Sequence, residues 1–133
     1  MSLVVDASVV VAALIDGGPD GRWAESILVA DQLAAPHLMP VEAANILRRA
    51  ALAGDISDEA ASLAHADLLA LVVELFPYEV LAPRVWELRS NVTAYDACYI
   101  ALAEALRAPL ATLDRRLAAS TGPRCTFRTP PAR

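Results

Sequence analysis

Leu3-Val4-Val5-Asp6-Ala7-Ser8 opens the chain with a short apolar run of mainly β-branched residues, which passes directly into a second apolar stretch at 8–15 and stops at Gly17-Gly18-Pro19-Asp20. A brief apolar run without polar alternation reads as a strand buried on both faces, and the longer stretch after it as a short helix. Outward from there the same alternation repeats. A helix is expected over 20–31, a strand over 33–35, and a helix over 41–53 that Pro40 opens and Gly54 closes. Ser57 caps the next helix, and a strand follows over 71–76 and a helix over 80–89. Thr93-Ala94-Tyr95-Asp96 fits a capping box at the start of a helix over 93–107. A strand over 110–113, a short helix over 115–119 and a last strand over 125–127 complete the pattern. Strands alternating with helices imply right-handed crossovers. The expected fold is α/β, a single domain over 1–133 with a mainly parallel central sheet of about five short strands covered by helices on both faces.

Composition narrows the chemistry. The chain has 133 residues, a net charge of -5 and eleven basic residues, all of them Arg. With no Lys, Schiff-base catalysis, a P-loop phosphate site and a phosphoacceptor receiver pocket are excluded or strongly disfavoured. Ala supplies 28 positions, which favours closely packed helices. The apolar surplus also suits self-association, and Ala-rich packing within the monomer accounts for it equally well. The longest apolar run, 9–15, is too short for a membrane span, and no basic segment precedes the N-terminal apolar stretch, so a cytoplasmic protein is expected. Cys98, Cys125, His37 and His65 have neither disulfide-framework nor zinc spacing; the cysteines read as buried small hydrophobes and the histidines as structural or exposed.

In a parallel α/β sheet, ligands bind beyond the carboxyl ends of the strands where strand order reverses. Two of the expected strands end in acids, Asp6 and Asp114, while Glu42 and Asp96 fall in the first turns of helices. Each acid also has a plain reading: Asp6 and Asp114 as N-caps, Asp96 as the acidic half of a capping box, Glu42 as a first-turn acid favoured by the helix dipole. Both readings stand at this level. If the four carboxylates converge, they repel one another unless their pKa values rise or a divalent cation joins them, and an all-oxygen set favours Mg²⁺ or Mn²⁺ over zinc.

Four segments then resemble, in order, the motifs of PIN-domain ribonucleases, most closely the VapC toxins of type II toxin-antitoxin systems. They are Val4-Val5-Asp6-Ala7-Ser8; the stretch from Pro40 through Glu42 and Asn45 to Arg48-Arg49; the stretch from Thr93 through Asp96 to Glu104; and Ala111-Thr112-Leu113-Asp114-Arg115-Arg116-Leu117. The resemblance implies that Asp6, Glu42, Asp96 and Asp114 form a catalytic metal site, with Ser8 and Thr112 as supporting hydroxyls and Asn45 as a polar neighbour of Glu42. Where many relatives carry a further acid or amide, this chain has Arg116, which bears on whether a second metal binds. It also implies an endoribonuclease that leaves a 5′-phosphate on tRNA or ribosomal RNA and so inhibits translation, a homodimer, and a small cognate VapB-like antitoxin covering the apolar surface and blocking the acidic pocket.

The residues themselves bear on that reading. Asn45 and Arg49 lie three and seven positions after Glu42, on the same helical stripe, and Arg49 is thereby available to an RNA phosphate. Cys98 points away from Asp96, towards the core. Four of the five excess negative charges are accounted for by the four acids. Arg48, Arg49, Arg115 and Arg116 flank two of those acids in sequence and are candidates for a phosphate-binding rim, with solvated surface charge as the other reading of Arg49 and Arg116. Aspartyl-phosphate phosphatases also begin with an acid at a strand end, but they need a second acid two residues on, where Ser8 stands, and a Lys. A PIN nuclease of RNA processing outside toxin systems and a catalytically silent PIN-like binding module are the remaining alternatives.

Overall fold

The computed structural model describes residues 1–132. Strands β1 (Ser2–Val5), β2 (Gln32–Pro36), β3 (Val73–Phe76), β4 (Leu110–Ala111) and β5 (Phe127–Arg128) form one sheet in the order β3-β2-β1-β4-β5. All four pairings are parallel, with Leu3 beside Leu33, Val5 beside Ala111, Ala35 beside Leu75, and Leu110 beside Phe127. The helices are α1 (Ala7–Ile15), α2 (Pro19–Leu28), α3 (Met39–Leu52), α4 (Asp58–Ala70), α5 (Ala82–Glu87), α6 (Ala94–Leu106) and α7 (Arg115–Ala118).

Successive strand residues point to opposite faces of a sheet. Leu3, Val4 and Val5 are all fully buried, so β1 is covered on both sides, as its unbroken apolar run predicts. Helices α1 to α4 pack among themselves, while α6 pairs with α5 and lies against β1, β2 and β4. Ala97 to Ala103 are buried without a break along α6. A helix that is apolar all round belongs in the interior, and its alanines let strands and helices approach it closely.

Gly21 shows how tight the turn after α1 is: a Cβ there would lie 1.7 Å from the Asp16 carbonyl oxygen, so only glycine fits the first turn of α2. Other boundaries differ from the expected ones for local reasons. The helix expected over 80–89 is split: a 3-10 turn at Tyr78–Val80 precedes α5, because Pro83 is tolerated only in a first turn. Helix α4 runs to Ala70 before β3 begins at Val73, and β5 lies at Phe127–Arg128 rather than over 125–127. β4 stops at Ala111 instead of reaching residue 113: the Thr112 amide still bonds the Arg128 carbonyl, but the Leu113 amide turns away to Ser8 Oγ.

Strand order reverses between β1 and β4. Connections run from β1 outward to β2 and β3, and the chain then returns to the other side of β1 for β4 and β5. The crevice beyond the carboxyl ends of β1 and β4 is thus the place where such sheets hold ligands.

Candidate active site

Asp6 follows β1 and is the N-cap of α1, where Oδ1 accepts from the Val9 amide at 3.0 Å and from the Ser8 hydroxyl at 2.6 Å. The Thr112 hydroxyl donates to Oδ2, and the Leu113 amide donates to Ser8 Oγ at 3.3 Å. Thr112 is fully buried, and its hydroxyl in turn accepts from the Asp114 amide at 3.0 Å. One hydroxyl therefore joins two acids that lie more than a hundred residues apart in the chain. Asp114 is the N-cap of α7, accepting from the amides of Arg116 and Leu117 at 3.0 and 3.1 Å. The capping role and membership of an acid-lined site coexist for both aspartates.

Glu42 lies in the first turn of α3, and Asp96 in the first turn of α6, which the Thr93 hydroxyl caps by accepting from the Asp96 amide. Asp6, Glu42, Asp96 and Asp114 line a single cavity of about 420 Å³ together with Ser8, Asn45, Arg49 and Tyr99. The four carboxylates surround this cavity and do not converge on one point. Among the described residues no three acid, imidazole or thiol groups are drawn into a ready-made metal cage. The tight convergence raised by the strand-end pattern is corrected to that extent: the elements bring the acids to one cavity, and the side chains stand round its wall.

Electrostatics agree with a shared site. Burial raises the Asp6 carboxyl above its ordinary pKa and the Asp96 charge adds to this, while bonds from Ser8, Thr112 and the Val9 amide pull the other way. Burial likewise raises Glu42, partly offset by the Tyr99 hydroxyl and reinforced by Asp96 and Asp6. Asp96 is raised by burial and by the Asp114 charge. An acid-only set, hydrogen-bonded and mutually repelling, is chemically suited to a hard divalent cation, whose charge relieves the repulsion.

Tyr99 is a site residue that pattern reading passes over. Its hydroxyl donates to Glu42 Oε1 at 2.6 Å, and burial together with that bond pushes the phenol far above its ordinary range. In sequence Tyr99 looks like core, and it is 2% exposed. The available signal is its spacing of three from Asp96, the same stripe logic that places Asn45 and Arg49 beside Glu42.

The four arginines of the candidate rim divide. Arg49 lines the acid cavity, and Arg116 lines an adjoining cleft that shares Asp96 and Asp114 with it. Arg48 is exposed on α3 and outside the cavity lining. Arg115 points elsewhere: its guanidinium donates to the Pro130 carbonyl at 2.6 Å and to Thr129 Oγ1 at 3.4 Å, in a separate cavity with Leu113. The reason is rotational, since adjacent positions on α7 face about 100° apart. Cys98 is buried, as expected, and Cys125 is half-buried. Among the described residues no helix is long and apolar enough to cross a membrane.

Comparison with known proteins gives a consistent answer. Residues 3–121 match the PIN domain family. The chain is 43% identical over 126 residues to Ribonuclease VapC1 of Mycobacterium tuberculosis, covering 94% of this chain and 95% of that one. It is 38% identical to Ribonuclease VapC9 of the same organism, covering 97% and 98%. Among solved structures, PAE2754 from Pyrobaculum aerophilum superposes with a TM-score of 0.70 at 26% identity, over 96% of this chain and 83% of that one. VapC20 of M. tuberculosis, a sarcin-ricin loop cleaving toxin, shares the fold with a TM-score of 0.68 at 19% identity, over 88% and 93%. A fold of this topology, an acid cavity at its strand-order reversal and full-length relatives of one kind lead to a single assignment: the chain belongs to the PIN-domain family, among the VapC ribonucleases.

Proposed function

We propose that the acid cavity hydrolyses phosphodiester bonds in RNA with Mg²⁺, for which Mn²⁺ can substitute. The carrying observation is the single cavity at the β1/β4 crevice lined by Asp6, Glu42, Asp96 and Asp114, with Arg49 on its wall. A divalent ion held there would lower the pKa of a water and offset the negative charge on the phosphoryl oxygens. Asp6 and Asp96 are the principal candidates to hold it, with Glu42 and Asp114 beside them.

This chain's own residues do the rest. Ser8, Thr112 and the Val9 amide fix both Asp6 oxygens, so the carboxylate meets its ligand without first losing rotational freedom. The Tyr99 bond holds Glu42 Oε1 and leaves Oε2 to orient or deprotonate the attacking water, a role Asp114 shares by position. Arg49 and Asn45 face the same space, the first suited to a phosphate oxygen and the second to a neutral hydrogen bond.

In this reading the enzyme is a toxin acting in the cytoplasm on tRNA or ribosomal RNA to stop translation, as a homodimer held in check by a VapB-like antitoxin. Apolar side chains left in solvent, among them Val41 and Leu52 on α3 and Leu63 and Leu69 on α4, support the use of this surface by protein partners. A solved relative of the fold, VapBC2 of Rickettsia felis, is described bound to a DNA fragment from its promoter. The test is incubation of the purified protein with structured RNA and Mn²⁺. Cleavage by the wild type and its loss in Asp96→Asn are expected; cleavage that persists unchanged in Asp96→Asn removes Asp96 from the reaction.

A further inference from the structure

Beyond Asp96 and Asp114 the acid cavity continues into a second cleft of about 620 Å³, between the start of α6 and α7. Its wall carries Arg89 and Arg116. Four arginines elsewhere in the molecule are committed: Arg84 to Glu104, Arg128 to Asp31, Arg115 to Pro130 and Arg22 to the Gly17 carbonyl. Arg116 has no side-chain partner among the described residues, and its backbone amide, bonded to Asp114, places it immediately beside the acids. Arg89 is held without being neutralised. Its guanidinium lies 4.9 Å from the centroid of the Trp86 ring, and Nη1 donates to the Trp86 carbonyl at 2.8 Å. One of the five guanidinium N–H groups is thereby used and the others remain available. The Trp86 ring, 66% exposed, fixes the arginine in place at a lower entropic cost to a ligand than a free side chain would exact.

A polymer whose reacting phosphate sits among the acids must leave that cavity along its open sides. We propose that this cleft seats the RNA strand on one side of the scissile bond, with Arg116 and Arg89 binding successive backbone phosphates and Trp86 acting as the positioning residue for Arg89. The proposal rests on the ribonuclease reading and adds a directional path to it: Arg49 on α3 flanks the acids on one side, and the pair Arg116 and Arg89 on the other. Two cations on this side against one on the other make it the more tightly gripped arm.

The experiment compares wild type with Arg89→Ala, Arg116→Ala, Trp86→Ala and Trp86→Phe, and with Arg22→Ala, which lines neither cavity, as a control. Cleavage of a labelled mixed-sequence RNA of about 12 nucleotides is followed in Mn²⁺ across a range of salt, and binding of the same RNA by fluorescence anisotropy in Ca²⁺. Each arginine variant is expected to raise KM about three- to tenfold at low salt, with kcat within about twofold of wild type, and to flatten the salt dependence by about 0.7 in log-log slope. Trp86→Ala should show a smaller rise in KM, Trp86→Phe should restore it, and Arg22→Ala should match wild type. Unchanged KM, binding and salt slope in both arginine variants, in a wild type that cleaves, overturns the cleft and leaves the nuclease reading intact. If the wild type cleaves nothing, anisotropy still decides: weaker binding in the arginine variants supports the cleft as an RNA seat while the nuclease reading fails, and equal binding overturns both.

Discussion

Helix α6 carries an acid near each end, and the two are treated in opposite ways. Asp96, in the first turn, stands where the helix dipole favours negative charge, yet its pKa is raised by burial and by Asp114. Glu104, near the last turn, stands where the dipole disfavours charge and burial pushes its pKa up, yet Arg84, the Arg124 amide and the Arg124 charge together bring it below the ordinary value. Arg84 grips Glu104 through Nε at 2.7 Å and Nη2 at 3.2 Å and also reaches the Gly122 carbonyl and Glu87. Immediate partners thus outweigh the dipole at both ends. The paired acid fastens α5 and the 122–124 segment to α6, and the acids without a cationic partner line the cavity. On the proposed function, stability and activity are separated along one helix.

The strongest way to break this comparison is Asp96→Asn. It should lower RNA cleavage on the order of 100-fold or more, measured as kcat/KM in Mn²⁺. Because it removes a half-buried charge repelled by Asp114, the variant should melt no lower than wild type without metal. A variant that loses activity because it unfolds would show that Asp96 is structural after all. Arg84→Ala tests the other end. It leaves Glu104 only the Arg124 amide and should destabilise the protein by about 2 kcal/mol in chemical denaturation, with cleavage per folded molecule near wild type. Tyr99→Phe sharpens the account of the acid side. Loss of the bond to Glu42 should reduce kcat about tenfold with little change in the thermal midpoint.

The smallest effect is the dependence of stability on pH, where the two regions have opposite signs. Glu104 has a folded pKa below its unfolded one. Its contribution is complete above the ordinary carboxylate range and is lost as pH falls through the lowered value. Asp6, Glu42 and Asp96 have folded values above their unfolded ones. Their charged forms oppose folding at neutral pH, and that penalty fades as pH falls through the raised values towards the ordinary range. Metal-free protein should therefore gain stability on mild acidification and lose it on stronger acidification, measured by thermal melts. Added Mg²⁺ should flatten the mild-acid rise, and leave the loss at lower pH untouched, if the cation replaces protons at the acids.

The acid half of this comparison is more legible in sequence than the paired half. Asp6 and Asp114 are readable because apolar runs of strand type end near them, although Asp114 sits beyond the end of β4: Thr112 turns its hydroxyl to Asp6, and the Leu113 amide leaves the ladder for Ser8. Arg49 is readable from helical spacing, whereas Arg115 and Arg116 are indistinguishable until α7 gives them different faces. Tyr99 is hidden because an aromatic among alanines looks like packing, and its partner lies 57 residues away. The Arg84–Glu104 pair, 20 residues apart across two helices, has no local signature. The break before α5 was signalled only by Pro83, whose effect depends on which turn it occupies.

The Thr112 hydroxyl, shared between Asp6 and the Asp114 amide, has a consequence for when the protein becomes active. The first strand and its acid emerge early from the ribosome, but Asp6 acquires its Thr112 bond, and the acid cavity its last carboxylate, only after residue 114 has been made and β4 has inserted beside β1. A nascent chain shorter than that carries at most three of the four acids and an unfinished crevice. The order of the strands alone therefore delays completion of this ribonuclease's acid cavity until most of its chain has been made.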